Sequence, residues 1–234
     1  MLMPERKAAG MKDPYAILTE AGNGFYEEKR SRFPAAAYPV RTEEEALSLI
    51  AAEKKKTYDA RHHCFAYVLG PNRETVRFSD DGEPSGTAGK PILEVLLGRG
   101  VHDALIIVTR YFGGTLLGTG GLVRAYTAAS QDALDHAETA IVLPAEKVSV
   151  TCGYTDLARI DKLVRDDPFV FEGGRNYGEN AELILYLASG DPESFGAALG
   201  DASSGRAKME LLGETGIVTA EDRFLREYGS GEEA

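Results

Sequence analysis

Three hydrophobic patterns recur along the chain and predict two mixed α/β units. Residues 42–56, "TEEEALSLIAAEKKK", repeat apolar positions at helical spacing, with Thr42 as N-cap and Glu45 completing a capping box. Leu47, Ile50 and Ala51 are expected to line the buried face of that helix. Residues 24–40 read as two short strands, 63–70 as an alternating strand, and 75–80 as its hairpin partner across "PNRE". The helix "GKPILEVLLGRG" follows. Next comes "DALIIVTRYF" (103–112), a continuous apolar run of the kind expected for a central strand buried on both faces. A long amphipathic helix then begins after "GGTLLGTGG".

Beyond "IVLPAE" the pattern restarts. Strands are predicted at 147–154, 169–178, 180–190 and 207–214. Helices are predicted at 155–167, N-capped by Thr155, and at 191–201, with Asp191 at the N-cap and Pro192 at N1. The order β-α-β-β-α-β is the ferredoxin-like pattern. The expected organisation is α+β. Residues 1–21 form a disordered or extended N-terminus, 22–140 the first domain, 145–214 the second, and 215–234 a tail that ends in "GSGEEA". Either Met1 or Met11 can be the start.

Composition narrows the functional classes. The sequence is 43% hydrophobic and 27% charged, and no run reaches the roughly 18 apolar residues of a membrane span. The expected location is the cytoplasm, without membrane association, and a monomer is favoured. Two cysteines, Cys64 and Cys152, are too few for a disulfide framework and are expected to be reduced. Net charge is −11, yet residues 29–77 carry 10 Lys and Arg against 6 Asp and Glu. "KRSR", "KKK" and "RHH" in that segment suit either a phosphate-backbone footprint or a solvated helix end and strand edge.

Two stretches carry candidate chemistry. "RFSDDGEPSGTAGKP" (77–91) offers Asp80, Asp81 and Glu83 as oxygen ligands for Mg²⁺, but it lacks a complete cation loop and fits a turn better. "GGTLLGTGGLV" (113–123) puts Gly113, Gly114, Gly118, Gly120 and Gly121 between a buried strand and a helix start, where backbone amides can meet an anion. It is not a Walker loop, because Thr119 and Gly120 follow Gly118 where Lys and Ser or Thr are required. Lys90, Arg110 and Arg124 are the cations nearest these loops in sequence. "HHC" (62–64) cannot close on one ion from a strand, since neighbouring side chains alternate faces.

"RHHCFAYVLG", "RFSDDGEPSGTAGKPILEVLLGRG" and "IVTRYFGGTLLGTGGLVRAY" resemble the YigZ/IMPACT family over residues 24 to about 138, and 147–214 resemble the C-terminal domain of bacterial YigZ members. That resemblance implies a ribosomal protein S5 domain 2-like first domain and a ferredoxin-like second, an arrangement similar to the last two domains of elongation factor G. Eukaryotic IMPACT proteins regulate translation under stress through an extra N-terminal domain that is not read in this sequence, so that partner binding is not carried over. The family motifs fall on Ser79 to Gly89 and Arg110 to Leu122, and are thought to form one groove.

The resulting expectation is a non-enzymatic regulator of translation. It would bind RNA or a ribosomal component through Arg61, His63, Ser79, Asp80, Asp81, Glu83, Thr87, Lys90, Arg110, Arg124 and the five glycines, with no catalytic residue and no cofactor. The alternative is a nucleotide- or phosphate-binding enzyme, a Mg²⁺-dependent phosphotransferase or hydrolase, using Asp80, Asp81 and Glu83 in the same groove.

Overall fold

The computed structural model describes residues 13–188, 191–221 and 223–228, and the chain divides into two compact units at residues 140 and 141. The first is built on β1 (Tyr15–Leu18), β2 (Gly22–Glu28), β3 (Ser31–Pro39), α1 (Glu43–Lys56), β4 (His62–Leu69), β5 (Thr75–Ser79), α2 (Gly89–Gly98), β6 (Val101–His102), β7 (Ala104–Arg110) and α3 (Gly118–Asp135). Strands β2-β3-β7-β4-β5 form an antiparallel sheet in that order, and β1 pairs in parallel with β6. All seven residues of β7 are buried, as its unbroken apolar run predicts.

Alternation along the strands separates two cores. Phe33, Ala35, Cys64, Ala66, Ile106 and Val108 face α2 and α3, where Ile92, Leu96 and Tyr126 meet them. Tyr67, Leu69, Leu105 and Ile107 point the other way, onto Ala46 and Ile50 of α1. The predicted α1 face needs correction by one position. Leu47 is 52% exposed and Ala51 is exposed, while Ala46, Leu49 and Ile50 meet the sheet; both triplets have i, i+3, i+4 spacing, so the spacing alone does not choose between them. The N-cap prediction holds, since Thr42 Oγ accepts from Glu45 N–H at 3.1 Å, but the Glu45 carboxylate accepts from Arg41 N–H at 2.7 Å, one residue before the N-cap position a capping box uses. Helix α3 lies close on β2 because Gly24 has no side chain, and a Cβ there would run into the backbone of Ala133.

The second unit continues from β8 (Thr139–Cys152) through α4 (Tyr154–Asp166), β9 (Val170–Tyr177), β10 (Ala181–Leu187), α5 (Pro192–Ser203), β11 (Lys208–Ala220) and β12 (Arg223–Glu227). Its antiparallel order β9-β10-β8-β11, with α4 and α5 packed on one face over Val148, Val150, Leu183 and Leu185, is that of a ferredoxin-like βαββαβ unit. Asp191 caps α5 as expected, accepting from Ser194 N–H at 2.9 Å. Thr155 does not cap α4; the helix starts one residue earlier, from Gly153, whose carbonyl accepts the Asp156 N–H.

Three boundary readings are corrected. The "IVLPAE" connector is part of β8, which starts at Thr139, and β1 lies inside the span read as an extended N-terminus. Residues 215–227 are not a tail. There β11 continues to Ala220 and β12 returns beside it, with Ile217 buried, Phe224 stacked on Tyr186 at 5.1 Å, and Glu227 accepting from Lys147 Nζ at 2.7 Å. Met1, Met11 and "GSGEEA" lie outside the described residues.

Candidate functional site

The loop after β5 is organised by its first acid. Asp80 Oδ2 accepts from Gly86 N–H at 2.8 Å, and Oδ1 accepts from Ala88 and Gly89 N–H at 3.0 and 2.8 Å. Helix α2 lacks a capping side chain at Ala88, so a carboxylate nine positions upstream of Gly89 satisfies its first amides. Asp81 faces elsewhere, accepting from His63 N–H at 2.7 Å and Lys54 Nζ at 2.8 Å. The two aspartates therefore engage separate sets of donors. Among the described residues no three His, Cys, Asp or Glu side chains group to hold a metal ion.

Asp81 titration makes a testable point. Partial burial pushes its carboxyl up, but Lys54 and the His63 N–H outweigh that and hold it below the usual carboxylate range. A folded-state pKa below the unfolded one contributes stability above about pH 4, which is lost as pH falls through the folded value. Asp81→Asn is expected to destabilise the first unit at neutral pH, and urea titrations should find the gap from the parent closing on acidification below about pH 4.

Glu83 enters the protein interior. Its Oε1 accepts from Arg110 Nη1 at 2.6 Å and from the Tyr126 hydroxyl at 2.9 Å, with the Glu83 and Arg110 side chains only 4% and 8% exposed. Arg110 also sits over the rings of Phe33 and Phe112, at 5.6 and 5.7 Å, and its buried Nε has no hydrogen-bond partner among the described residues. Behind the pair, the Cys64 thiol donates to the Asp80 carbonyl at 3.1 Å and lies 3.4 Å from the Tyr126 hydroxyl. Burial pushes the Cys64 thiol and the Tyr126 phenol up, so both are neutral at physiological pH. Loop and strand end are thus tied by one buried ion pair.

The glycine-rich segment between β7 and α3 meets a different partner. Gly113 packs so tightly on the β2–β3 turn that a Cβ would enter the backbone of Arg30 and Ser31, and its N–H donates to Ser31 Oγ at 3.1 Å. That turn consists of Lys29 and Arg30, both left-handed, with φ of 49° and 67°. Two-residue hairpins of this kind favour Asn-Gly, because side chains are strained there. Arg32 covers the Tyr111 ring at 5.0 Å. No side chain caps α3, whose first turn is Gly118, Thr119 and Gly120, and the Arg124 guanidinium lies 3.7 Å from where a Gly120 Cβ would stand. Lys29, Arg30, Arg32 and Arg124 are exposed.

Residues 29–134 match the family model described as "Impact N-terminal domain", and 150–206 match "Domain of unknown function (DUF1949)". The IMPACT family member YvyE of Bacillus subtilis is 36% identical over 200 residues, covering 86% of this chain and 92% of YvyE. This chain belongs to the IMPACT family. YigZ of Escherichia coli, another IMPACT family member, is 36% identical over 191 residues, covering 80% of this chain and 93% of YigZ. Protein IMPACT of Bos taurus is 32% identical over 96 residues, which is 39% of this chain and 30% of that protein. A solved structure described as "Crystal structure of an hypothetical protein" superposes with a TM-score of 0.54 at 34% identity, over 84% of this chain and 96% of that one.

Within the IMPACT-type unit, the residues read from sequence fall into two groups. Glu83 and Arg110 are brought together, and Ser79 Oγ accepts from Asp81 N–H, but these contacts are internal. Arg110 is not an accessible cation, because Glu83 and the flanking rings enclose it. His63 is buried with Nε2 bonded to Thr57 Oγ at 2.8 Å, and Thr87 Oγ donates to the Pro84 carbonyl. Arg61 is exposed and Lys90 is exposed beside Glu94 at 3.8 Å, so these reach solvent along with Arg124 and the backbone of Gly114, Gly118 and Gly120. Sequence reading took "KRSR" only as a charge run and missed that Lys29 and Arg30 are the hairpin tip touching Gly113. It also missed His62, since the alternation argument excluded zinc and went no further.

Proposed function

We propose that this IMPACT family member is a cytoplasmic binding protein of translation that grips the phosphate backbone of single-stranded RNA along the glycine loop and the basic hairpin tip. One observation carries the reading: Lys29 and Arg30 occupy strained left-handed positions against Gly113, where Asn-Gly would be more stable. L-residues there cost about 1–2 kcal/mol each, and strain of this kind collects where it serves a ligand. Arg124, 4.0 Å from Glu28, and the uncapped amides of α3 extend the positive surface. Against an overall charge of −11, phosphate attraction is confined to local basic clusters, of which this is one. The implied kinship with ribosomal protein S5 domain 2 and elongation factor G supports RNA of the translation machinery as the partner.

Filter binding of single-stranded RNA at rising salt tests the reading. Three phosphate contacts, at about −0.7 each, give a slope of about −2 in log affinity against log salt. Arg124→Glu is expected to weaken binding and to reduce the slope by about 0.7. Lys29→Asn with Arg30→Gly is expected to weaken binding while raising the melting temperature. Absence of binding even at low salt overturns the proposal. The magnesium-dependent reading has no comparable support, since Asp80, Asp81 and Glu83 already bond protein donors.

A further inference from the structure

We infer that His62 reads the ribose 2′-hydroxyl and makes this surface select RNA over DNA, an inference that rests on the RNA-binding reading above. His62 opens β4 and stands directly opposite Arg110 in the ladder with β7, three residues before Gly113. Strand alternation puts it on the same sheet face as Cys64 and Ala66, the face that carries α2 and α3. The ring is half-buried and held in one orientation. Its Nδ1 lies 2.8 Å from the Asp81 carbonyl oxygen, and Gly82, at φ +89°, follows directly.

A carbonyl only accepts, so Nδ1 carries the hydrogen, and in the neutral form of the ring the lone pair is then on Nε2. That Nε2 has no hydrogen-bond partner among the described residues. The neighbouring His63, on the opposite face, bonds its own Nε2 to Thr57, which is how a structural histidine in this strand is satisfied.

Lys29, Arg30, Arg124, which stands 4.0 Å from Glu28, and the α3 amides donate, and they suit phosphate on RNA and DNA alike. Glu83 is taken by Arg110 and Tyr126, and the Asp81 carbonyl by His62 itself. In the neutral form of the ring, His62 Nε2 is therefore a held acceptor on the sheet face that carries α3. Its complement is a hydroxyl one sugar away from a bound phosphate, the group that RNA has and DNA lacks.

The experiment compares one single-stranded sequence in three forms, RNA, 2′-deoxy with uracil retained, and 2′-O-methyl, in competition for the unmodified protein. A single neutral hydrogen bond corresponds to a preference of about 2- to 12-fold for RNA over both other forms. His62→Ala is expected to erase that preference while leaving the salt slope unchanged, because the phosphate contacts remain. His62→Gln, which can present an oxygen acceptor, is expected to restore part of it. Equal affinity of the unmodified protein for all three forms, with ordinary salt-dependent binding, overturns the role of His62 and leaves the RNA reading standing. No binding of any form at low salt overturns both. The three-form comparison needs no variant, so the inference stays testable even if His62→Ala fails to fold.

Discussion

Arg110→Met is expected to destabilise the IMPACT-type unit by about 3–5 kcal/mol, because it strands the Glu83 carboxylate in the interior without its cation. Glu83 and Arg110 form their 2.6 Å bond with side chains almost fully enclosed, and Tyr126 supplies only one further hydrogen bond to the same oxygen. Water is in no position to replace the guanidinium. Removing both charges together behaves differently, since buried pairs exchanged for apolar residues of similar volume are often neutral or stabilising. Glu83→Leu with Arg110→Met is therefore expected to recover most of the loss. Urea unfolding of the two variants provides the measurement, and a single variant within about 1 kcal/mol of the parent would contradict the burial of an interacting pair. The double variant also separates stability from RNA binding, because the exposed cations are untouched.

Gly113→Ala follows as the second large effect. An added methyl at residue 113 meets the backbone of Arg30 and Ser31, which cannot rotate away as a side chain does. Overpacking of this kind costs about 1–3 kcal/mol, and here it also drives the glycine loop off the basic turn. Reduced stability and weaker RNA binding are expected together, read by urea unfolding and filter binding. Gly114→Ala is the control. Gly114 has φ of +86°, but nothing lies within 4 Å of the added Cβ, so only the left-handed strain of about 1–2 kcal/mol applies and the loop keeps its place. If both variants lose RNA affinity equally, close contact with the hairpin tip is not what the loop contributes.

What the sequence discloses follows local signals. The unbroken run of β7, the Thr42 N-cap of α1 and the Asp-Pro start of α5 each depend on residues a few positions apart, and each is found where expected. Elements that depend on distant partners are less legible. Strand β12 looks polar and C-terminal until Phe224 finds Tyr186 and Glu227 finds Lys147, 80 positions away. At the site, the two glycine-bearing motifs are plain in the sequence, yet their charges invert in role. Arg110 is read as a ligand contact and proves to be held by an acid 27 positions earlier, while Lys29 and Arg30, read as one charge run among several, form the tip beside Gly113. No periodicity reveals a left-handed lysine. His62 is hidden for a related reason, because its free nitrogen becomes visible only once the Asp81 carbonyl takes the other one.

The chain has two cysteines, one in each compact unit, and both are buried and unpaired. Enclosure raises the pKa of each thiol and suppresses the thiolate that alkylating reagents attack. Each sulfur is consequently silent until its own unit opens. Timed labelling, with the two peptides resolved by mass, would clock the opening of either half of the molecule separately, using reporters that nature has already installed.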